Sequence, residues 1–351
     1  MIEPGLHALP DGRAARVVEV AAGGVRARVA TLGAALLELW VPGPDGPADV
    51  VLGHAALAGY ADDSAFLGMA VGPAAGRVAG AQVTVDGKRH ALDANDGPNT
   101  LHSGPTGLHS QMWTVEEVSP DRVALSVVRP DGMGGFPGPL RLGLALSVAA
   151  TASGGVLALD WTATSDRPTP VAVTHHAYYN LDGHDAGTVR DHVVQSDAGA
   201  FVALGPGLVP TGKLAPVAGT PFNFRAPVGL GRVLDGDHRQ LDLASGLDHD
   251  LVDGPPGERH RPLRRVATAR ARIRAVEVWT TEPGVHLYAG GFLDVEDGKG
   301  GARYGPGAGL ALETQPPPDA TAHPGFPDTV LRPGRTFRSR TEYRFSSHPP
   351  A

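Results

Sequence analysis

Glycine (48) and proline (32) are spread along the whole 351-residue chain and gather in no single linker. Glycine frees positive φ, whereas proline fixes φ and removes a backbone donor, so this distribution demands many turns and forbids long uninterrupted helices. Between the turns lie short runs rich in Val, Leu, Thr and aromatic residues, at 25–31, 122–129, 141–149, 156–164, 171–176, 285–289 and 336–345. Several alternate polar with apolar residues, and a period of two predicts strands with two unlike faces. Residues 264–276 could be drawn as a helix from their Ala and Arg content. The β-branched residues that thicken toward Val276-Glu277-Val278-Trp279-Thr280 favour a strand with its connection. No fixed-period repeat is visible, which argues against a propeller or solenoid.

Hydrophobic residues at 42% and charged residues at 19% describe a globular chain with ample material for a core. The length alone suggests about two domains, but β sandwiches and barrels often exceed that size as one unit, and no segment divides the chain. Residues 253–262 are polar and Pro-rich and read as an exposed loop. We therefore expect one all-β domain over residues 1–351. The net charge of −7, with no Lys/Arg run, argues against nucleic acid and anionic membrane surfaces as partners. With no cysteine there is no disulfide framework, thiolate nucleophile or Cys-ligated zinc, which fits a reducing cytoplasm. Met1-Ile2-Glu3-Pro4 does not open a signal peptide, and the apolar stretch 142–159 reads as two strands joined by a turn rather than a membrane span.

Four places combine turn residues with functional side chains. Residues 68–80 are Gly-rich around one Arg77, but the Gly-Lys-Ser/Thr ending and following helix of a phosphate loop are missing. A bent strand that projects Arg77 into a pocket, or a surface Arg beside flexible glycines, are the readings left. Residues 95–105 surround His102 with turn chemistry, which suits either a ligand contact or a His that satisfies loop carbonyls. In Thr174-His175-His176-Ala177, neighbours on a strand face opposite sides, so only one histidine can enter a given pocket; no His-x-His or His-Glu-x-x-His spacing supports a metal. Glu313 follows an apolar run and precedes Pro316-Pro317-Pro318, so it ends a strand either buried, with its basicity tuned by desolvation, or at a wet edge.

These segments, in this order, resemble the aldose 1-epimerase (galactose mutarotase) family over nearly the full length. The resemblance also rests on Thr31-Leu32-Gly33-Ala34, Val51-Leu52-Gly53, Gly97-Pro98-Asn99-Thr100-Leu101-His102-Ser103-Gly104, residues 131–138, Gly246-Leu247-Asp248-His249, Thr280-Thr281-Glu282-Pro283-Gly284-Val285, Leu312-Glu313-Thr314-Gln315 and residues 326–334. It implies a large antiparallel β supersandwich with an open carbohydrate-binding cleft and a monosaccharide substrate. It assigns Glu313 as general base and His176 as general acid. Arg77, His102 and Asp248 would hold sugar hydroxyls or support the acid, and His286 would take a sugar-contacting position. His175 falls where relatives usually carry Asn. No metal or other cofactor is implied, and a monomer or homodimer is expected.

Anomer exchange requires one proton removed from the C1 hydroxyl and one delivered to the ring oxygen. A Glu near its ordinary pKa of about 4.3 is ionised at neutral pH, and a His near about 6.5 is substantially protonated when a negative charge assists it. Four positions depart from the family pattern: Pro73 and Gly76 where Arg and Asn are common, His286 where Gln often contacts the sugar, and Gly291 where Asn is frequent. Two of these are expected to reach the cleft and to alter which hydroxyls find a partner. Trp279, Tyr288 and Phe292 are the candidates for an aromatic platform. A glycosidase-like enzyme using Asp248 and Glu313, or a non-catalytic sugar-binding module, are the competing readings.

Overall fold

The computed structural model describes residues 1–254 and 257–348. Among these residues the strands gather into a nine-stranded, a six-stranded and a five-stranded sheet, with four two-stranded ribbons. The ladders of the two largest sheets are antiparallel throughout. The two α-helices, Leu230–Leu234 and Arg239–Leu243, are one turn each. This is the all-β supersandwich that the sequence implied.

The nine-stranded sheet grows from the longest alternating runs. Arg122–Arg129, Leu140–Thr151, Gly154–Thr164 and Phe337–Ser347 lie side by side within it. Leu140, Leu142, Leu144, Leu146 and Val148 point inward while their neighbours are half-buried or exposed, as a period of two requires. The apolar stretch at 142–159 is two strands. Their turn falls at Ala152-Ser153, and Gly154 and Gly155 open the second strand instead of forming the turn. Gly155 sits so close to Val25 that a Cβ there would fall 2.0 Å from its Cγ2. Residues 264–276 belong to two strands, Arg264–Arg270 and Arg274–Thr280, paired as a hairpin. The expected run at 171–176 shrinks to Thr174–His175. Its remaining backbone bonds loops, with Val171 N on Thr329 O and Ala172 N on Pro73 O, so no continuous partner strand extends it. The segment at 253–262 carries no strand among its described residues; Pro255 and Pro256 lie outside them.

The six-stranded sheet runs in the order Tyr178–Tyr179, Leu310–Gln315, Gly284–Tyr288, Asp248–Val252, Ala200–Leu204, Pro210–Pro216. One face meets the nine-stranded sheet. Tyr343 Oη donates to Leu312 O at 2.8 Å, and the Thr314 and Thr341 hydroxyls bond each other. Leu251, Val285, Leu287, Leu310 and Leu312 of this face join the largest buried apolar cluster, which also draws on the nine- and five-stranded sheets. Because side chains alternate, Asp248, Asp250, His286, Tyr288, Glu313 and Gln315 turn to the opposite face.

Candidate active site

That opposite face floors a cleft of about 560 Å³. Arg77, His102, His176, Asp248, His286 and Glu313 all line it, so the structure brings together every residue expected from the sequence. The register sets the arrangement. Asp250 pairs with His286 and His286 with Glu313, which makes one cross-strand row of carboxylate, imidazole and carboxylate. Asp248, Tyr288 and Ala311 form the adjacent row.

Glu313 is 2% exposed, with Oε1 at 3.5 Å from His176 Nε2 and Oε2 without a hydrogen-bond partner. Burial pushes its carboxyl up to about 8; Asp250 and Asp248 add to the shift and His286 opposes it. His176 is fixed by its backbone, whose N–H donates to Met69 O at 2.8 Å and whose carbonyl accepts from Gly68 N at 3.0 Å. Its ring sits among Tyr178, His102 and Phe66, with centroids 4.8, 5.3 and 6.0 Å away. Burial lowers His176 to about 4. This corrects the solution-like expectation: desolvation favours the neutral form of both groups, a protonated Glu313 beside an uncharged His176. His175 faces away, with Nε2 at 3.3 Å from Ala34 O, as strand alternation requires.

The two turns deliver their residues from above. Residues 68–80 hold the two-residue strands Ala70–Val71 and Arg77–Val78, and the bend between them projects Arg77 into the cleft. Arg77 Nε donates to Asp96 Oδ2 at 2.8 Å, and Nη1 lies 3.5 Å from Asp248 Oδ2. His102 has φ +50°, and its Nδ1 accepts from Gly76 N at 3.2 Å. Its proton is thereby left to Nε2, and burial together with His176 keeps the ring well below the usual imidazole range. His286 lies between two acids: Nε2 is 2.7 Å from Asp248 Oδ1, and Nδ1 is 3.0 Å from Asp250 Oδ2, though poorly aligned for a hydrogen bond there. Burial opposes its charge, but Asp250 and Asp248 together raise it well above the usual range. Asp248 is correspondingly held below the carboxylate range by His286 and Arg77 against the pull of burial.

Sequence reasoning missed Asp250, Gln315, Phe66 and Tyr178 in the lining. The first two stand two residues beyond Asp248 and Glu313 on the same strands, so strand periodicity could have found them; Gln315 Nε2 donates to Asp250 Oδ1 at 2.8 Å. Phe66 comes from a loop and carried no signal. Of the aromatic candidates, Tyr288 and Phe292 line the cleft, whereas Trp279 belongs to the nine-stranded sheet, under the Arg344 guanidinium at 4.0 Å. Of the four departures, Gly76 and His286 reach the cleft, and Pro73 and Gly291 do not. Gly76 holds φ +74°, and a Cβ there would lie 2.5 Å from Pro318 Cγ, so the Pro-rich turn takes the space a larger residue would fill. Among the described residues no group of three or more His, Asp or Glu is arranged to hold a metal ion, and no helix is long and apolar enough to cross a membrane.

The family model described as aldose 1-epimerase matches residues 16–344. A galactose mutarotase of Homo sapiens is 39% identical over 299 residues, covering 85% of this chain and 84% of its own. An aldose 1-epimerase of Escherichia coli (strain K12) is 33% identical over 342 residues, covering 96% of each. Among solved structures, a GalM/aldose epimerase homologue from C. elegans superposes with a TM-score of 0.86 at 31% identity, over 95% of this chain and 99% of the other. A galactose 1-epimerase from Lactobacillus acidophilus NCFM gives a TM-score of 0.81 at 26% identity, over 96% of each.

Proposed function

The chain belongs to the aldose 1-epimerase family and is an isomerase; from that premise we propose that Glu313 and His176 carry the two proton transfers that exchange the anomers of a free aldose. The observation that supports this most is the 3.5 Å approach of Glu313 Oε1 to His176 Nε2 inside a buried cleft. Glu313, as carboxylate, takes the C1 hydroxyl proton while His176, as imidazolium, gives one to the ring oxygen. The C1–O5 bond breaks, the aldehyde rotates about C1–C2, and reclosure on the other carbonyl face returns both protons. Burial favours the proton on Glu313; moving it to His176 yields the reactive form without changing the total. The pair is therefore competent while it carries one proton, between about 4 and about 8. Arg77 and the Nε2–H of His102 supply donors for sugar hydroxyls, with Asp248 as an acceptor. A positioned acid and base contribute roughly 10²–10⁴-fold each, and mutarotation, already quick in water, needs no more.

We also read residues 1–351 as one domain, because the largest buried cluster spans all three large sheets. A cytoplasmic monomer or homodimer acting on a monosaccharide, without nucleic acid or membrane partners, accords with the absence of cysteine and the net charge of −7. The family relation favours this over a glycosidase-like or non-catalytic reading. Polarimetry on freshly dissolved α-anomers tests it. The intact protein accelerates the approach to equilibrium for at least one common aldose, and His176→Asn strongly reduces that acceleration. A broad aldose panel with no acceleration overturns the reading.

A further inference from the structure

His286 stands in the cleft with both ring nitrogens beside carboxylates. Nε2 is hydrogen-bonded to Asp248 at 2.7 Å, and Nδ1 lies 3.0 Å from Asp250. Asp250 is itself anchored by Gln315 Nε2, two residues beyond Glu313 on the same strand. The backbone register makes His286 the direct cross-strand neighbour of Glu313 on one side and of Asp250 on the other, at side-chain separations of about 5 Å. A Gln at this position could donate to a hydroxyl; an imidazole flanked by two carboxylates is turned to them instead.

We propose that His286, clamped as an imidazolium by Asp248 and Asp250, is a positioning residue for the acid–base pair. It sets a fixed positive charge beside Glu313 instead of binding the sugar. The inference rests on the assignment of Glu313 and His176 as that pair. The charges facing His286 are Asp248 and Asp250 from one neighbouring strand, Glu313 from the other, and Arg77 and the two histidines His176 and His102 from the turns above. Its positive charge disfavours proton binding at Glu313 and at His176 alike, whereas Asp250 and Asp248 favour it at Glu313. The clamp therefore places the one-proton window of the pair at lower pH than the acids alone would.

The test is the pH profile of kcat/KM for the intact protein and for His286→Gln, with Glu313→Gln as reference. The expected result is that both limbs move to higher pH by about one unit in H286Q, a tenfold loss on the acid limb, while KM changes by less than about twofold. Unmoved limbs with a raised KM would make His286 a sugar contact and overturn the proposal. Where E313Q retains turnover, the acid–base reading itself fails; where E313Q is inactive and the limbs stay put, only the clamp fails. NMR on 15N-histidine-labelled protein needs no variant to be active. One imidazolium persists through the alkaline limb, its signal is missing from H286Q, and its midpoint falls in Asp250→Ala. If no histidine stays doubly protonated there, or if Asp250→Ala leaves the midpoint unchanged, the clamp is excluded.

Discussion

The strands Leu140–Thr151 and Leu310–Gln315 both alternate in sequence, but their alternation separates different things. In the first, inward leucines are buried and the residues between them are half-buried or exposed, so the pattern divides core from water. In the second all six residues are buried, and the pattern divides the core from a cleft. Leu310 and Leu312 take one side, and Glu313 and Gln315, although polar, are as sheltered as the leucines. On the cleft side of this strand and beside it, Glu313 Oε2, Gln315 Oε1 and His176 Nδ1 are buried without hydrogen-bond partners. Each unmet buried polar group costs about 1–3 kcal/mol, and on the cleft face these atoms are turned to where a ligand's hydroxyls could meet them. The nine-stranded sheet is arranged for stability, and the cleft face of the six-stranded sheet gives some of it up for chemistry.

Glu313→Gln is the sharpest way to break this contrast. The substitution preserves shape and removes the ionisable proton, so acceleration of anomer exchange falls by roughly 10²–10⁴-fold. Stability moves the other way. Folded Glu313 holds its proton up to about 8, against an ordinary value of 4.5. As pH rises through this interval the unfolded state releases a proton that the folded state keeps, and the wild-type protein loses stability. Glutamine has nothing to lose. E313Q and wild type therefore unfold at similar temperatures near pH 4, and the variant unfolds at the higher temperature above about pH 8. Equal melting at both ends would mean that Glu313 is hydrated and that the two strands do not differ in kind.

A cavity on the structural side should give the reverse signature. Leu146 is fully buried in the nine-stranded sheet. Leu146→Ala is expected to cost about 2–5 kcal/mol of stability, read by urea unfolding, through lost burial and the cavity left behind. The pH profile and kcat of the folded fraction stay unchanged. A shifted profile would show that the core tunes the site and that the two regions are coupled.

The same contrast explains what could be read from the sequence. The long strands were legible because water lies on one of their sides: residues 122–129 match their strand to the residue, and 141–149 and 156–164 fall within theirs. The six expected site residues were legible only as a set, since each alone fitted a structural role equally well. The protonation of the pair was not legible, because ordinary pKa values assume water and burial moved Glu313 up and His176 down. Nor was the engagement of His286, which depends on cross-strand register placing Asp250 opposite it. Asp250 and Gln315 were within reach of strand periodicity; Phe66 was not, because a loop carries no period.

The smallest expected effect separates the aromatic candidates. Phe292 is 55% exposed at the rim of the cleft, with its ring centroid 6.4 Å from that of Tyr288 and the planes 30° apart. An exposed ring in that place buries little of its own surface in the folded protein, and its free face is available to the C–H side of a pyranose. Trp279 already has its occupant: Arg344 covers its face, and its indole N–H donates to Glu277 Oε2 at 2.9 Å. Ring contacts of this kind are worth about 0.5–1.5 kcal/mol. Phe292→Ala should therefore raise KM roughly two- to tenfold with kcat and melting temperature nearly unchanged, whereas Trp279→Ala should lower the melting temperature and leave KM alone. If KM responds to Trp279 and not to Phe292, the sugar does not lie on the six-stranded face, and the division of labour between the two sheets is drawn in the wrong place.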